Sequence, residues 1–188
     1  MKKLWLLLAG ICFLSFINNI SAEEPMEYLE SSKAVPQGKA PGLKVKLLSD
    51  FNGIKHYVLV FADGDEVLSG VTDFATKYNV KDAHFTAIGA LKKSTSGWYD
   101  ASKKAYKLNH IDQQAEIVSL IGNISLFNDK PVVHAHFAVG FADGKVEGGH
   151  LIEAYTFPTV EMFITVEPTP LQKHPDQETG LNLIDPNS

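Results

Sequence analysis

Beyond residue 55 the chain alternates apolar and polar positions in short runs, and clusters of Asp, Asn, Gly and Ser separate them. KHYVLVF (55–61) reads as a strand that ends in the turn ADGDE. The period then changes. Val67, Leu68, Val71, Phe74, Ala75 and Tyr78 recur at three- and four-residue spacing, which predicts a helix over 65–78. Asp65 and Glu66 stand where the helix dipole favours an acid, and Asn79-Val80-Lys81-Asp82 breaks the pattern. Period-two runs follow: AHFTAIGAL (83–91), STSGWYD (94–100), KAYKLNH (104–110), AEIVSLIGNISLF (115–127), PVVHAHFAVGF (131–141), KVEGGHLIEAYTF (145–157) and TVEMFITVE (159–167). Asp100-Ala101-Ser102, Asn128-Asp129 and Asp143-Gly144 supply turns between several of them. Links this short make sequential strands antiparallel neighbours. The expected class is α+β: a long antiparallel sheet, closed or strongly curved, with one main helix over it.

The ends of the chain read differently. Lys2 and Lys3 precede an uncharged apolar run from Leu4 to Ile17, and Ile20-Ser21-Ala22 offers a small residue for cleavage. This is the layout of a secretory signal peptide over 1–22, and a run of this length is shorter than the roughly 20 residues a membrane span needs. The expectation is a periplasmic or secreted bacterial protein with no membrane span after cleavage. Residues 23–42, with Pro25, Pro36 and Pro41, read as an extended lead-in, 43–170 as the folded domain and 171–188 as a polar tail. Cys12 is the sole cysteine and lies within the signal, so a mature chain has no thiol for disulfide, redox or metal chemistry.

Composition adds one exclusion. All 17 basic residues are lysine, and the formal charge is −5. Without Lys2 and Lys3, 15 lysines face 22 acids, a net −7. A chain that is acidic and free of arginine is poorly suited to coating nucleic acid, which rewards a basic surface and bidentate guanidinium contacts. Asn123-Ile124-Ser125 has the form of a glycosylation sequon but falls in a strand-like run, and reads as chance.

Candidate chemistry concentrates in VVHAHFAVGFADGKVEGGHL (132–151). On a strand, Val133, Ala135, Phe137 and Val139 share an apolar face, and His134 and His136 share the other. Two imidazoles about 7 Å apart at Cα can converge on one ion. The turn at Asp143-Gly144 brings the next strand back. Counting from that turn, a simple hairpin is expected not to pair His150 with His136, and a bulge at Gly148-Gly149 is expected to set the face His150 takes. These glycines also allow a ligand or second chain to approach the backbone. The pattern fits a metal or anionic-ligand site, and equally histidines packed at a subunit contact. His84 and Glu116, on strands of their own, are candidate neighbours of the site, with solvent exposure at a strand end as the alternative for Glu116. Trp98, Tyr99 and Tyr106 read as packing or an oligomer contact.

The ordered series YVLVFADGDEV, AHFTAIGAL, WYD, AEIVSLIGNIS, PVVHAHFAV and GKVEGGHL resembles the PPC domain, also called PCC, the plants and prokaryotes conserved domain, over about residues 54–167. The resemblance implies an antiparallel sheet packed with helices and a homotrimer. It also implies a His-x-His and Gly-Gly-His pattern that falls on His134, His136 and His150, where zinc or another divalent metal is plausible for the family. Plant members accompany AT-hook motifs in nuclear DNA-binding proteins, and bacterial single-domain members often carry a DNA-binding label. This chain has no Arg-Gly-Arg-Pro hook. The leading expectation is an exported, trimeric binding module for a metal or small ligand. The alternatives are DNA binding, as the family label has it, and a zinc-dependent hydrolase or lyase in which a metal-bound water has its pKa lowered to about 7.

Overall fold

A computed structural model describes residues 26–33 and 38–187. The expected signal peptide lies outside the described residues. In chain order the elements are β1 (Tyr28–Glu30), β2 (Lys44–Phe51), β3 (Ile54–Phe61), α1 (Val67–Lys77), β4 (Ala83–Asp100), β5 (Ala105–Ile111), β6 (Ala115–Phe127), β7 (Lys130–Gly140), β8 (Val146–Val166), β9 (Gln172–Pro175) and β10 (Asn182–Asp185), with a short 3₁₀ turn at Ser31–Lys33. Among the described residues no helix is long and apolar enough to cross a membrane.

The sheet runs β1-β5-β4-β6-β7-β8-β3-β2, antiparallel throughout, and a further β4–β8 pairing joins β4, β6, β7 and β8 into a closed ring. This is the closed antiparallel sheet with one main helix that the period-two runs predict. Closure follows from the length of two strands. β4 and β8 are each continuous, where the sequence pattern suggests two strands apiece. The first half of β4 pairs with β6 and its second half with β5, while β8 lies along its other side. Pro158, which cannot donate to a ladder, sits where the β4–β8 register shifts between the Leu91–Thr156 and Gly89–Val160 pairs, so the strand continues through it.

The inner face of the ring carries Phe85, Ala87, Leu120, Ala135, Phe137, Val139, Met162 and Ile164, all buried. Helix α1 contributes Leu68, Val71, Phe74 and Ala75 to the same core and packs against β7 and β8. Its first turn is anchored by an acid that the helix-dipole argument places only loosely. Glu66 is fully buried and accepts hydrogen bonds from Leu68 N (3.0 Å), Ser69 N (2.6 Å) and, across to β8, Ala154 N (3.0 Å). One carboxylate thereby caps the helix and ties it to the strand that carries His150.

Two terminal segments differ from expectation. The lead-in contains β1, which adds to β5 through Tyr28–Lys107, Leu29–Tyr106 and Glu30–Ala105. The expected polar tail instead forms the β9–β10 hairpin, which docks on the end of β6 through Leu126 N to Leu171 O (2.8 Å) and the Leu126–Gln172 pair.

Candidate metal centre

The β7–β8 hairpin builds the site. Its register is unbroken: His136 pairs with His150, Phe137 with Gly149, Ala138 with Gly148, Val139 with Glu147 and Gly140 with Val146. The expectation that a bulge is needed is therefore corrected. A hairpin centred on Asp143 sets residue 150 directly opposite 136, and directly opposed residues on antiparallel strands share a face. The glycines let the strands pack closely. A Cβ at Gly148 would lie 2.2 Å from the Phe137 carbonyl oxygen, and one at Gly149 would lie 2.8 Å from the Gly97 carbonyl oxygen. Only glycine lets β7, β8 and β4 approach this closely.

The three rings meet on the face opposite the core. Their centroids are 5.2 Å apart for His134–His136, 5.2 Å for His134–His150 and 5.3 Å for His136–His150. One ring nitrogen from each lies within 4.8 Å of the other two. A tetrahedral ion at about 2.0–2.1 Å from each nitrogen needs them roughly 3.3 Å apart, a difference that side-chain rotation can span. His150 is held in place: Tyr106 stacks on its ring at 4.4 Å and 15°. The stack needs Gly97, where a Cβ would press on the Tyr106 ring at 3.0 Å. Nδ1 of His150 is buried with no hydrogen-bond partner. A buried, unsatisfied ring nitrogen is costly unless something accepts its lone pair or its proton.

The site keeps the His134 and His150 rings neutral. Burial lowers the His150 pKa to about 3, with the neighbouring His134, His136 and Lys173 adding to the effect. Burial likewise lowers His134 to about 4, followed by the charges of Lys173 and His136. Neutral imidazole is the form that donates to a metal. The donor set thus fits a metal ion.

The other sequence candidates sit farther out. His84 lies in the same cross-strand row as Asn123 and His134, two strands away from His134, and is exposed. Glu116 pairs with Gly140, five residues along β6 from Ile121, the partner of His136. That is roughly 16 Å along the strand, too far to share a water with the histidines.

Three neighbours escape the sequence reading. Asn123 pairs with His134 and lines a recess of about 300 Å³ with His134 and His136, and its Oδ1 is buried without a partner. Tyr106 supplies the stack. Lys173, in the C-terminal hairpin, lines a second recess with Tyr106, His134 and His150. The strand periodicity could have placed Asn123 beside His84 and His134. For Tyr106 and Lys173, which arrive through a strand beyond β4 and a hairpin beyond the domain, no such signal exists.

A closed antiparallel sheet, one capping helix and an outward three-histidine cluster define a small domain with a candidate metal centre. Residues 48–167 match the model of the Plants and Prokaryotes Conserved (PCC) domain, and the chain belongs to that family. A plant- and prokaryote-conserved protein from Pyrococcus horikoshii is 31% identical with a TM-score of 0.66, covering 76% of this chain and 94% of that one. A metal-containing protein from Archaeoglobus fulgidus is 30% identical with a TM-score of 0.65, covering 76% and 96%. A Bacteroides thetaiotaomicron protein to which DNA binding has been ascribed shares the fold, at 24% identity and a TM-score of 0.71 over 77% and 99%. None of the curated proteins matches this chain.

Proposed function

We propose that this PCC-domain protein is an exported, trimeric binding module whose His134, His136 and His150 hold one divalent metal, zinc foremost. The observation that carries the reading is the convergence of three imidazoles, with ligand atoms within 4.8 Å and one buried nitrogen unsatisfied. The Archaeoglobus relative's description as metal-containing agrees with it. A bound metal held by these residues would supply Lewis acidity. Among the described residues no carboxylate lines the recesses beside the histidines, which favours binding over hydrolase or lyase chemistry.

The trimer rests on the outward face of the ring. Ile121, Thr86 and Phe163 form one row across β6, β4 and β8, and His136 extends that row on β7. Ile88, Val118, Ile121 and Phe163 are each more than half exposed, a concentration of apolar surface that self-association would cover. Export is supported by the amino-terminal sequence, Lys2-Lys3 followed by the apolar run to Ile17. The acidic, arginine-free composition disfavours a role on DNA.

Elemental analysis of the mature protein purified without chelator tests the metal. About one equivalent per chain is expected, falling to background in the His134→Ala/His136→Ala/His150→Ala variant while the fold persists. An unchanged metal content would end the assignment. Sedimentation equilibrium should give a trimer that Ile121→Lys dissociates. A gel shift with duplex DNA at low salt should show no salt-sensitive binding.

A further inference from the structure

Lys173 is the anomaly of the molecule. It is 8% exposed, placed by β9 beside the three histidines. None of the ion pairs among the described residues includes it, and its ammonium makes no hydrogen bond there. A buried lysine without a counter-ion is expensive and is kept where an anion completes it. Its neighbours sharpen the point. Imidazole side chains bring no negative charge, so a dication held by them would raise the positive charge of the recess further. Tyr106, His134, His150 and the hairpin residues 181–184 line this recess, about 250 Å³ in volume, and none of these is a carboxylate.

A second cavity of about 390 Å³ adjoins it. The two share Val132, Val133 and His150 as walls. Beyond those, the larger cavity is bounded mainly by apolar Leu68, Phe127, Pro131 and Leu151, with Thr72, Asn128 and Lys130 also in its wall. It opens where β8 leaves β7 for β4: the β7–β8 pairing ends at His136–His150, and from His150 onward β8 follows β4. An unpaired cation and an apolar chamber therefore meet at one histidine.

We propose that the protein binds a small organic carboxylate, its charged end received by Lys173 at the histidine cluster and its hydrocarbon part in the adjoining apolar cavity. The proposal builds on the metal reading, because a bound metal would add a second attraction for the carboxylate. Lys173 and the β9–β10 hairpin lie beyond residue 167, where the family match ends. The ligand class is thus a property of this chain's own C-terminal addition, which roofs a site the domain already carries.

The test uses octanoate and acetate as probes, with calorimetry on the mature chain both zinc-loaded and chelated. Octanoate should bind more tightly than acetate. Lys173→Met, which keeps the stem and removes the charge, should weaken octanoate at least about tenfold, the usual worth of a charge-assisted contact, without loss of zinc stoichiometry. Thr72→Phe, which fills the larger cavity from α1, should erase the preference for octanoate and leave acetate and zinc binding in place. The arms separate the two claims. Zinc bound at full stoichiometry with octanoate indifferent to both substitutions would overturn the carboxylate proposal and spare the metal. Octanoate binding that depends on Lys173 in a protein that takes up no zinc would do the reverse. Should Lys173→Met prove unstable, the Thr72→Phe comparison decides alone: an unchanged octanoate preference refutes the proposal.

Discussion

Acidification probes the histidine cluster directly, because His134 and His150 are neutral in the folded protein down to about pH 4 and pH 3. In the unfolded chain a histidine titrates near 6.5. The folded values are depressed, so on acidification the unfolded state takes up protons that the folded state refuses. Stability from these groups is complete above pH 6.5 and is lost as pH falls from there toward the folded values. Between pH 7 and pH 5 the unfolded population at each site gains about a 25-fold statistical advantage, which is about 2 kcal/mol per histidine and about 4 kcal/mol for the pair at 1.36 kcal/mol per pH unit. Both side chains are largely shielded, which supports using the full figure. Carboxylates also titrate in this range, so the measurement is a difference. Urea unfolding in the presence of chelator is followed at pH 7 and pH 5 for the native sequence and for His134→Gln/His150→Gln. The native protein should lose about 4 kcal/mol more than the variant over that interval. A difference below about 1 kcal/mol would refute the claim that burial keeps these rings neutral, and with it the idea of a preformed donor set.

Metal uptake should follow the same logic. At pH 5.5, calorimetry in buffers of different ionisation enthalpy should find that zinc displaces no more than about one proton, because two of the three ligands are already unprotonated; release of two or more contradicts this. Tyr106→Leu retains bulk but removes the stack on His150, and zinc affinity measured by competition with a chelator should drop about tenfold; an unchanged affinity refutes the role of the stack. Gly148→Ala drives a Cβ into the Phe137 carbonyl, so the β7–β8 register must shift. Unfolding free energy should fall by about 1–3 kcal/mol and zinc binding with it. Glu66→Ala strands three buried N–H groups and should cost about 3–5 kcal/mol in urea unfolding without affecting zinc stoichiometry in the protein that remains folded.

What the sequence disclosed follows the range over which its signals act. The helix was legible because Val67, Leu68, Val71, Phe74 and Ala75 all face one core, and all are buried. The strands around His134 and His136 were legible for the same reason, with Ala135, Phe137 and Val139 inward. β2 left no such trace, since only one residue of KVKLLSDF is even half-buried and no alternation marks a face. The continuity of β4 and β8 was equally hidden: Lys92 and Lys93 in one, and Pro158 in the other, resemble breaks when read locally, whereas β4 exchanges β6 for β5 there and runs on, and β8 stays paired with β4 on both sides of Pro158 and gains β3 beyond it.

The site shows the same boundary more sharply. His134 and His136 are two residues apart, and strand geometry alone puts them on one face. His150 is fourteen residues on, and its place depends on where the hairpin is centred, so the expectation of a bulge failed by the smallest possible margin. Lys173 and Tyr106 arrive by routes of another kind. One comes through a hairpin outside the family domain, the other through the outer side of β4, and neither stands in any periodic relation to the histidines. Burial is what gives these residues their chemistry. A lysine or an imidazole in water is unremarkable; enclosed together, the lysine's charge adds to burial in lowering the proton affinity of His134 and His150, burial lowers the lysine's own, and the recess is left short of negative charge. That deficit appears only after the chain has closed, because it comes from contacts between segments the sequence keeps far apart. It is also why the C-terminal hairpin, which reads as a tail of polar residues, determines which ligands a shared family scaffold can take.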